Sequence, residues 1–229
     1  RPQEILMTTF TNKAAKDMLF KIMERTNQIP PYVGTMHSLF LKILRENVNL
    51  LFPSKRFTII DDPDKKKIVK NILLGKQITA NANNTKYLLG RISKFKNFGI
   101  ASETLRQSQE LNLEEEKYLE MILEDEIIII DSSVKEKFIS LYQSYQDILK
   151  TNNLVDLDDL LLLTHKLFEN EAIRKRYSNN FKAIMVDEAQ DLNVVQMKIL
   201  NQLGRENICL IGDDCQNIYT WRGSSNDLV

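Results

Sequence analysis

The run Ala183-Ile184-Met185-Val186-Asp187-Glu188-Ala189-Gln190-Asp191 decides how this chain is read. Four apolar residues end abruptly in two adjacent carboxylates. A buried parallel strand presents such residues at the carboxyl edge of its sheet, where one carboxylate can hold a metal ion and the next can activate water. A second apolar run, Ile208-Cys209-Leu210-Ile211, leads into Gly212-Asp213-Asp214-Cys215-Gln216-Asn217-Ile218-Tyr219-Thr220-Trp221-Arg222-Gly223. Aromatic residues beside a basic one, in the loop after a strand, suit stacking on nucleic-acid bases. Together the two runs point to ATP chemistry coupled to a single strand of nucleic acid.

Working outward, strand and helix signals alternate on both sides of a different middle. Ile5–Phe10 reads as a strand, followed by a helix from about Asn12 whose Ala14, Ala15, Met18, Leu19, Ile22 and Met23 make one apolar face. Pro30-Pro31 ends that unit, and Met36, Leu39, Phe40, Ile43 and Leu44 line the inside of a second helix. Phe57–Ile60 is a short strand-like run before the turn signal Asp61-Asp62-Pro63. Residues 61–150 are rich in Lys, Glu, Asn and Gln and read as helical. Ser133 with Glu136 resembles a capping box, after which Val134, Phe138, Leu141, Tyr145 and Ile148 share a face. Ile127–Ile130 fits either strand or helix. Alternation then returns: helix over 157–169, strand over 183–187, helix over 194–203, strand over 208–212. The expected fold is α/β, a parallel sheet flanked by helices and interrupted by an all-helical insertion. The expected divisions are 1–60 and 151–229 for the sheet domain and 61–150 for the insertion.

Composition narrows the class without naming it. The 229 residues are 43% apolar and 27% charged, ordinary for a soluble globular protein. No apolar run approaches the roughly 20 residues of a membrane span. Net charge is zero, so any nucleic-acid contact must come from local residues rather than a bulk basic surface. Cys209 and Cys215 give no disulfide framework or zinc spacing. Cys209, inside an apolar run, is expected in the core, and a reducing, cytoplasmic setting fits.

Five segments carry a family resemblance: TTFTNKAAKDM (Thr8–Met18), GTMHSLFLKILR (Gly34–Arg45), DLDDLL (Asp156–Leu161), VDEAQDLN (Val186–Asn193) and GDDCQNIYTWRGS (Gly212–Ser224). In this order, bracketing a helical insertion, they resemble the first RecA-like domain of superfamily 1 DNA helicases of the UvrD/Rep/PcrA type. Met36, Ala189 and Cys215 depart from the commonest wording of that family, and none removes a group the chemistry needs. The resemblance implies an ATP-dependent 3′–5′ helicase or translocase on single-stranded DNA and single-strand/duplex junctions, with Mg²⁺ as the metal and a second RecA-like domain as partner. DNA repair is among the roles such helicases serve. The family's phosphate-binding loop should precede Ile5–Phe10. None of the seven glycines forms the G-x-x-x-x-G-K-[ST] pattern: Gly75-Lys76 is followed by Gln77, and Lys70 takes the first glycine's place. The chain alone is therefore expected to be inactive.

By the same resemblance, Asp187 would hold Mg²⁺ and Glu188 would orient and deprotonate the attacking water. Gln216 would sense the terminal phosphate, an amide bonding an oxygen without adding charge. Arg222 would link the acidic motif to DNA; a structural salt bridge is compatible with that role. Tyr219 and Trp221 offer faces for bases, with core packing the competing use of Trp221. Phe10 resembles a base-contacting aromatic, against a core position. Asn12, Thr35 and His37 would bond DNA from helix starts. Asp158 and Asp159 are read as capping and bracing a helix, Lys65-Lys66-Lys67 as a solvated face and His165 as an ordinary helix residue. The alternative is a non-catalytic DNA-binding or protein-interaction module that naturally lacks the phosphate loop. The intact Asp187-Glu188 pair and Gln216 favour the enzyme.

Overall fold

The structure, a computed structural model, describes residues 1–106, 137–204 and 206–213. Packing divides the chain into two units, Arg1–Asn47 with Leu160–Val229, and Val48–Asp159.

The first unit is built on four parallel strands in the order β2-β1-β5-β6. These are β1 (Ile5–Thr9), β2 (Val33–Thr35), β5 (Ala183–Val186) and β6 (Ile208–Leu210). Pairing of Leu6 with Ile184 and of Thr8 with Val186 sets the centre of the sheet, and Val186 in turn pairs with Leu210. Leu6, Thr8, Ile184 and Val186 are buried. Their neighbours on the opposite face are less covered: Met185 is 38% exposed and Cys209 beside it is exposed. Cys209 therefore does not join the core as expected. Strand geometry alternates side chains, and Cys209 falls on the less covered face.

Helix α1 (Asn12–Thr26) starts on Thr11, whose hydroxyl accepts the Ala14 N–H, and ends on Asn27 in the left-handed conformation. Only Ala15 of its apolar face is fully buried, and Met23 is exposed. Helix α2 (Met36–Glu46) starts on Thr35, which accepts from the Ser38 N–H, and buries all five apolar residues that its sequence spacing selects. The unit also contains α9 (Glu171–Asn180) and α10 (Val194–Leu203), the latter opened by a reciprocal Asn193–Gln196 capping box. A partly buried polar knot ties the end of α2 to α9. Tyr177 donates to Glu46 at 2.6 Å, Asn47 donates to Tyr177 at 2.9 Å, and Arg176 donates to Asn47 at 2.8 Å.

The second unit contains α3 (Val48–Leu51), α4 (Asp62–Gly75), α5 (Ala82–Asn97), α6 (Ser102–Arg106) and α7 (Phe138–Thr151). It also has a parallel pair, β3 (Thr58–Ile59) with β4 (Leu154–Val155). The two runs flank the segment expected as the insertion, and they pair with each other rather than with the four-stranded sheet. Asp61 caps α4, with Pro63 in the first turn, so the turn signal there is also a helix start. Aromatic packing fills the middle: Phe95 stacks on Phe138 at 5.0 Å between centroids, with Tyr142 beside both. Ser133–Glu136 and Ile127–Ile130 lie outside the described residues.

A buried ion cluster holds this unit together. Lys96, with no exposed surface, pairs with Asp156 and Asp159, each at 2.7 Å. Tyr145 donates to Asp156 at 2.9 Å and Gln146 to Asp159 at 3.0 Å. Asp156 and Asp159 also cap each other's backbone N–H groups, the helix-start role expected of Asp159. They open α8 (Leu157–Leu167). Burial alone would lower the Lys96 pKa; the two carboxylates outweigh it and hold the pKa above the ordinary lysine value. Removing one partner of such a cluster strands the other charges without water. Lys96→Met is expected to cost about 3–5 kcal/mol in urea unfolding. Lys65→Met removes only the pair with solvent-facing Asp62 and should cost less than about 1 kcal/mol. Equal losses for the two variants would show that the buried cluster does not anchor this unit.

Candidate active site

Parallel strands end on one edge, so the residues that follow β1, β2, β5 and β6 emerge together. Thr8, Thr9, Phe10, Met36, His37, Val186, Asp187, Glu188, Leu192 and Gln196 line a cleft of about 170 Å³ there.

Asp187 follows β5 directly. Its N–H donates to the Thr8 carbonyl at 2.8 Å, which extends the β1–β5 ladder by one step, and Thr9 Oγ1 donates to its carboxylate at 3.3 Å. Glu188 then breaks from the strand with φ 55° and ψ 45°, the left-handed region that a glutamate seldom occupies. Strain of this kind persists only where the surroundings enforce it. Here the ladder continues around it: Ile211 N–H donates to Val186 O at 2.8 Å, and Ala189 N–H donates to Ile211 O at 2.9 Å. The Glu188 carboxylate accepts from Gln190 Nε2 at 2.7 Å. Burial, with the Glu188 charge adding to it, raises the Asp191 carboxyl above the ordinary aspartate range.

Phe10 and His37 line the same cleft as Asp187 and Glu188. Asn12 is exposed at the first turn of α1. The Thr35 hydroxyl oxygen accepts the capping bond of α2, and Thr35 stands beside the cleft rather than in its lining. Gln216, Tyr219, Trp221 and Arg222 lie outside the described residues. Thr8, Thr9, Gln190 and Gln196 belong to the site without having been singled out. Thr8, Thr9 and Gln190 fall inside the quoted motifs. Gln196 gave a fainter signal, three residues after Asn193 at capping-box spacing.

Mg²⁺ suits this donor set. It is commonly bound through one or two carboxylates, with waters and substrate phosphates completing its shell. The described residues contain no cluster of three or more His, Cys, Asp or Glu that would cage a metal by protein alone. Thr8 Oγ1, buried in the cleft lining, has no hydrogen-bond partner among the described residues, and Asp187 lines the same cleft.

Known proteins resemble the chain along its whole length. It is 36% identical over 229 residues to a probable DNA helicase II homolog of Rickettsia felis, covering 97% of this chain and 32% of that protein. It is 32% identical over 238 residues to a probable DNA helicase II homolog of Mycoplasma capricolum, covering 100% and 30%. It is 32% identical over 228 residues to the ATP-dependent DNA helicase PcrA of Staphylococcus epidermidis, covering 97% and 28%. The chain thus spans about a third of the length of the curated relatives it matches. No helix among the described residues is long and apolar enough to cross a membrane. The family model for the UvrD/REP helicase N-terminal domain matches residues 1–229, and with its acidic strand end set in a parallel α/β sheet the chain belongs to that family.

Proposed function

We propose that this chain forms part of the ATPase core of an ATP-dependent 3′–5′ DNA helicase, a cytoplasmic enzyme that moves along single-stranded DNA by hydrolysing ATP. The observation that carries this is the placement of Asp187 and Glu188 in one cleft with Phe10 and His37. A carboxylate pair for phosphoryl transfer and two rings suited to nucleic acid share an edge only a few residues wide. The relatives named as DNA helicases support the same reading.

In this proposal Asp187 holds Mg²⁺, whose charge offsets the negative charge of the phosphates. Thr9 steadies the Asp187 carboxylate through its hydroxyl. Glu188 orients a water molecule and takes its proton as the water oxygen bonds to the terminal phosphorus and the bond to the leaving diphosphate oxygen breaks. Phosphoryl transfer needs little covalent help from protein, so positioned charge is the main catalytic resource. Gln216 senses the terminal phosphate, and Arg222 ties the acidic motif to DNA. Phe10, Tyr219 and Trp221 stack on bases, while Asn12, Thr35 and His37 bond the strand from the starts of α1 and α2. The second RecA-like domain completes the nucleotide site. Residues 61–150 serve as a helical subdomain inserted into the sheet domain, and the whole enzyme acts on single-stranded DNA and single-strand/duplex junctions.

Two experiments test this, one in the full-length protein that carries the sequence and one in residues 1–229 alone. Glu188→Gln is nearly isosteric and removes only the base, so DNA-stimulated ATP turnover should fall by about 10²–10⁴ while ATP and DNA binding persist. Turnover within about twofold of wild type would mean that Glu188 is not the base. Trp221 is the only tryptophan in the chain, so it can be watched directly in a fragment limited to residues 1–229. Oligo-dT should quench its emission at low salt, and the effect should fade as salt rises. Trp221→Ala should weaken binding by about 1–3 kcal/mol. Unchanged emission at saturating oligo-dT would remove Trp221 from the DNA path.

A further inference from the structure

Gln190 is only 4% exposed, and both ends of its amide are matched. Its Nε2 donates to Glu188 Oε2 at 2.7 Å, and its Oε1 accepts from the Asp213 backbone N–H at 3.1 Å. Reversing the amide would set N–H against N–H and oxygen against oxygen, so the two partners fix its orientation. The chain leaving β6 lies directly on this side chain. A Cβ added at Gly212 would stand 2.5 Å from Gln190 Oε1, 3.1 Å from the Gln190 nitrogen and 3.2 Å from the Ala189 nitrogen. Glu188 itself sits in a backbone conformation that its own residue type does not favour. Its carboxylate direction therefore depends on what grips it, and among the described residues Gln190 does so at 2.7 Å.

We propose that Gln190 is a positioning residue: it aims the Glu188 carboxylate and makes that aim depend on the chain leaving β6. This rests on the reading of Glu188 as the base. With Oε2 held by the amide, Oε1 is the oxygen that takes the proton from water. The Asp213 N–H holds the other end of the same amide. A shift of the backbone at Asp213 removes that restraint, and the amide and the carboxylate turn together. The residues that follow Asp213 in sequence include Gln216, Tyr219, Trp221 and Arg222. Phosphate or DNA contacts made by those residues thus acquire a two-bond route to the base. A glycine at position 212 is what lets the backbone approach closely enough for the route to exist.

The test uses the full-length protein and DNA-stimulated ATP turnover. Gln190→Met keeps the volume and removes both hydrogen bonds. It should lower kcat by about 10- to 100-fold, as small misplacements of a reacting group do, with KM for ATP within about twofold. Gly212→Ala, whose Cβ displaces the Gln190 oxygen, should lower kcat in the same way by a smaller factor. In a Glu188→Gln background, Gln190→Met should cost less than about twofold more, because a residue acting only through the base has nothing left to position. Wild-type kcat in Gln190→Met, a rise in KM at constant kcat, or multiplicative losses in the double variant would overturn the inference. Should Gln190→Met fail to fold, Gln190→Glu keeps an acceptor for the Asp213 N–H and sets a carboxylate against Glu188. It should fold and lose kcat; wild-type kcat in that variant would equally overturn the inference. If Glu188→Gln alone retains turnover, the underlying assignment of the base has failed instead.

Discussion

The four main strands run the same way, and the pairing that enforces this at the centre joins Ile5–Thr8 to Ala183–Val186. These segments lie more than 170 residues apart in sequence, with the whole second unit between them. Once they pair in parallel, the ends of both strands must reach the same edge. The Asp187 N–H continues the ladder to the Thr8 carbonyl, so the first acidic residue is placed by backbone hydrogen bonding. Thr9 and Phe10 arrive by the same geometry from β1, and Met36 and His37 follow from the pairing of Thr9 with Thr35. The cleft is thus a consequence of strand direction. Its chemistry depends on which residues stand one or two places past each strand end.

Two acidic runs show how environment divides one residue type between roles. Asp156 and Asp159 follow the short β4, as Asp187 and Glu188 follow β5, yet their fates differ. Lys96, Tyr145 and Gln146 surround the first pair, and little of either carboxyl reaches solvent. Desolvation is large there and the ion pairs with the buried cation offset it, so the cluster is committed to structure. The second pair faces a cleft, where among the described residues one hydroxyl donates to Asp187 and one amide to Glu188; in the proposed function their remaining oxygens take an ion and a water. Adjacent acids in sequence do not distinguish these cases. The buried lysine does, and it comes from α5, some sixty residues earlier.

What could be read from sequence follows from how strong each local pattern is. Helix α2 was legible because five apolar residues recur at one spacing and all five are buried. The central strands were legible because a parallel strand covered by helices is a continuous apolar run. β2 is only three residues long and includes Gly34, too short and too plain to register as a strand. Helix α9 buries only Ile173 and Tyr177 and is held largely by the polar knot at Tyr177, so hydrophobic periodicity passed over it. Cys209 was misplaced because an apolar run does not say which of its two faces is covered. In the site, the Asp187-Glu188 pair could be found from residue type and position. Gln190 could not: a glutamine carries little signal until its two partners, at Glu188 and Asp213, are brought to either end of its amide.

The backbone at Glu188 joins these scales. A strand that simply continued would send residues 187 and 188 to opposite faces of the sheet. The left-handed turn at Glu188 ends the strand, opens the short 3-10 turn Ala189–Asp191, and brings both acids into one cleft lining. An αL conformation at a non-glycine residue costs of order 1–3 kcal/mol, which the surroundings must supply. They do so from both sides of the turn. The Ala189 N–H is held by Ile211, the Asp191 N–H by Glu188, and the Gln190 side chain spans from the carboxylate to Asp213. Two of these restraints come from the chain at and just after β6. The strand that enforces the geometry of the acidic turn therefore leads directly into the run Gln216–Arg222, and structural support for the turn and a route for communication to it use the same few atoms.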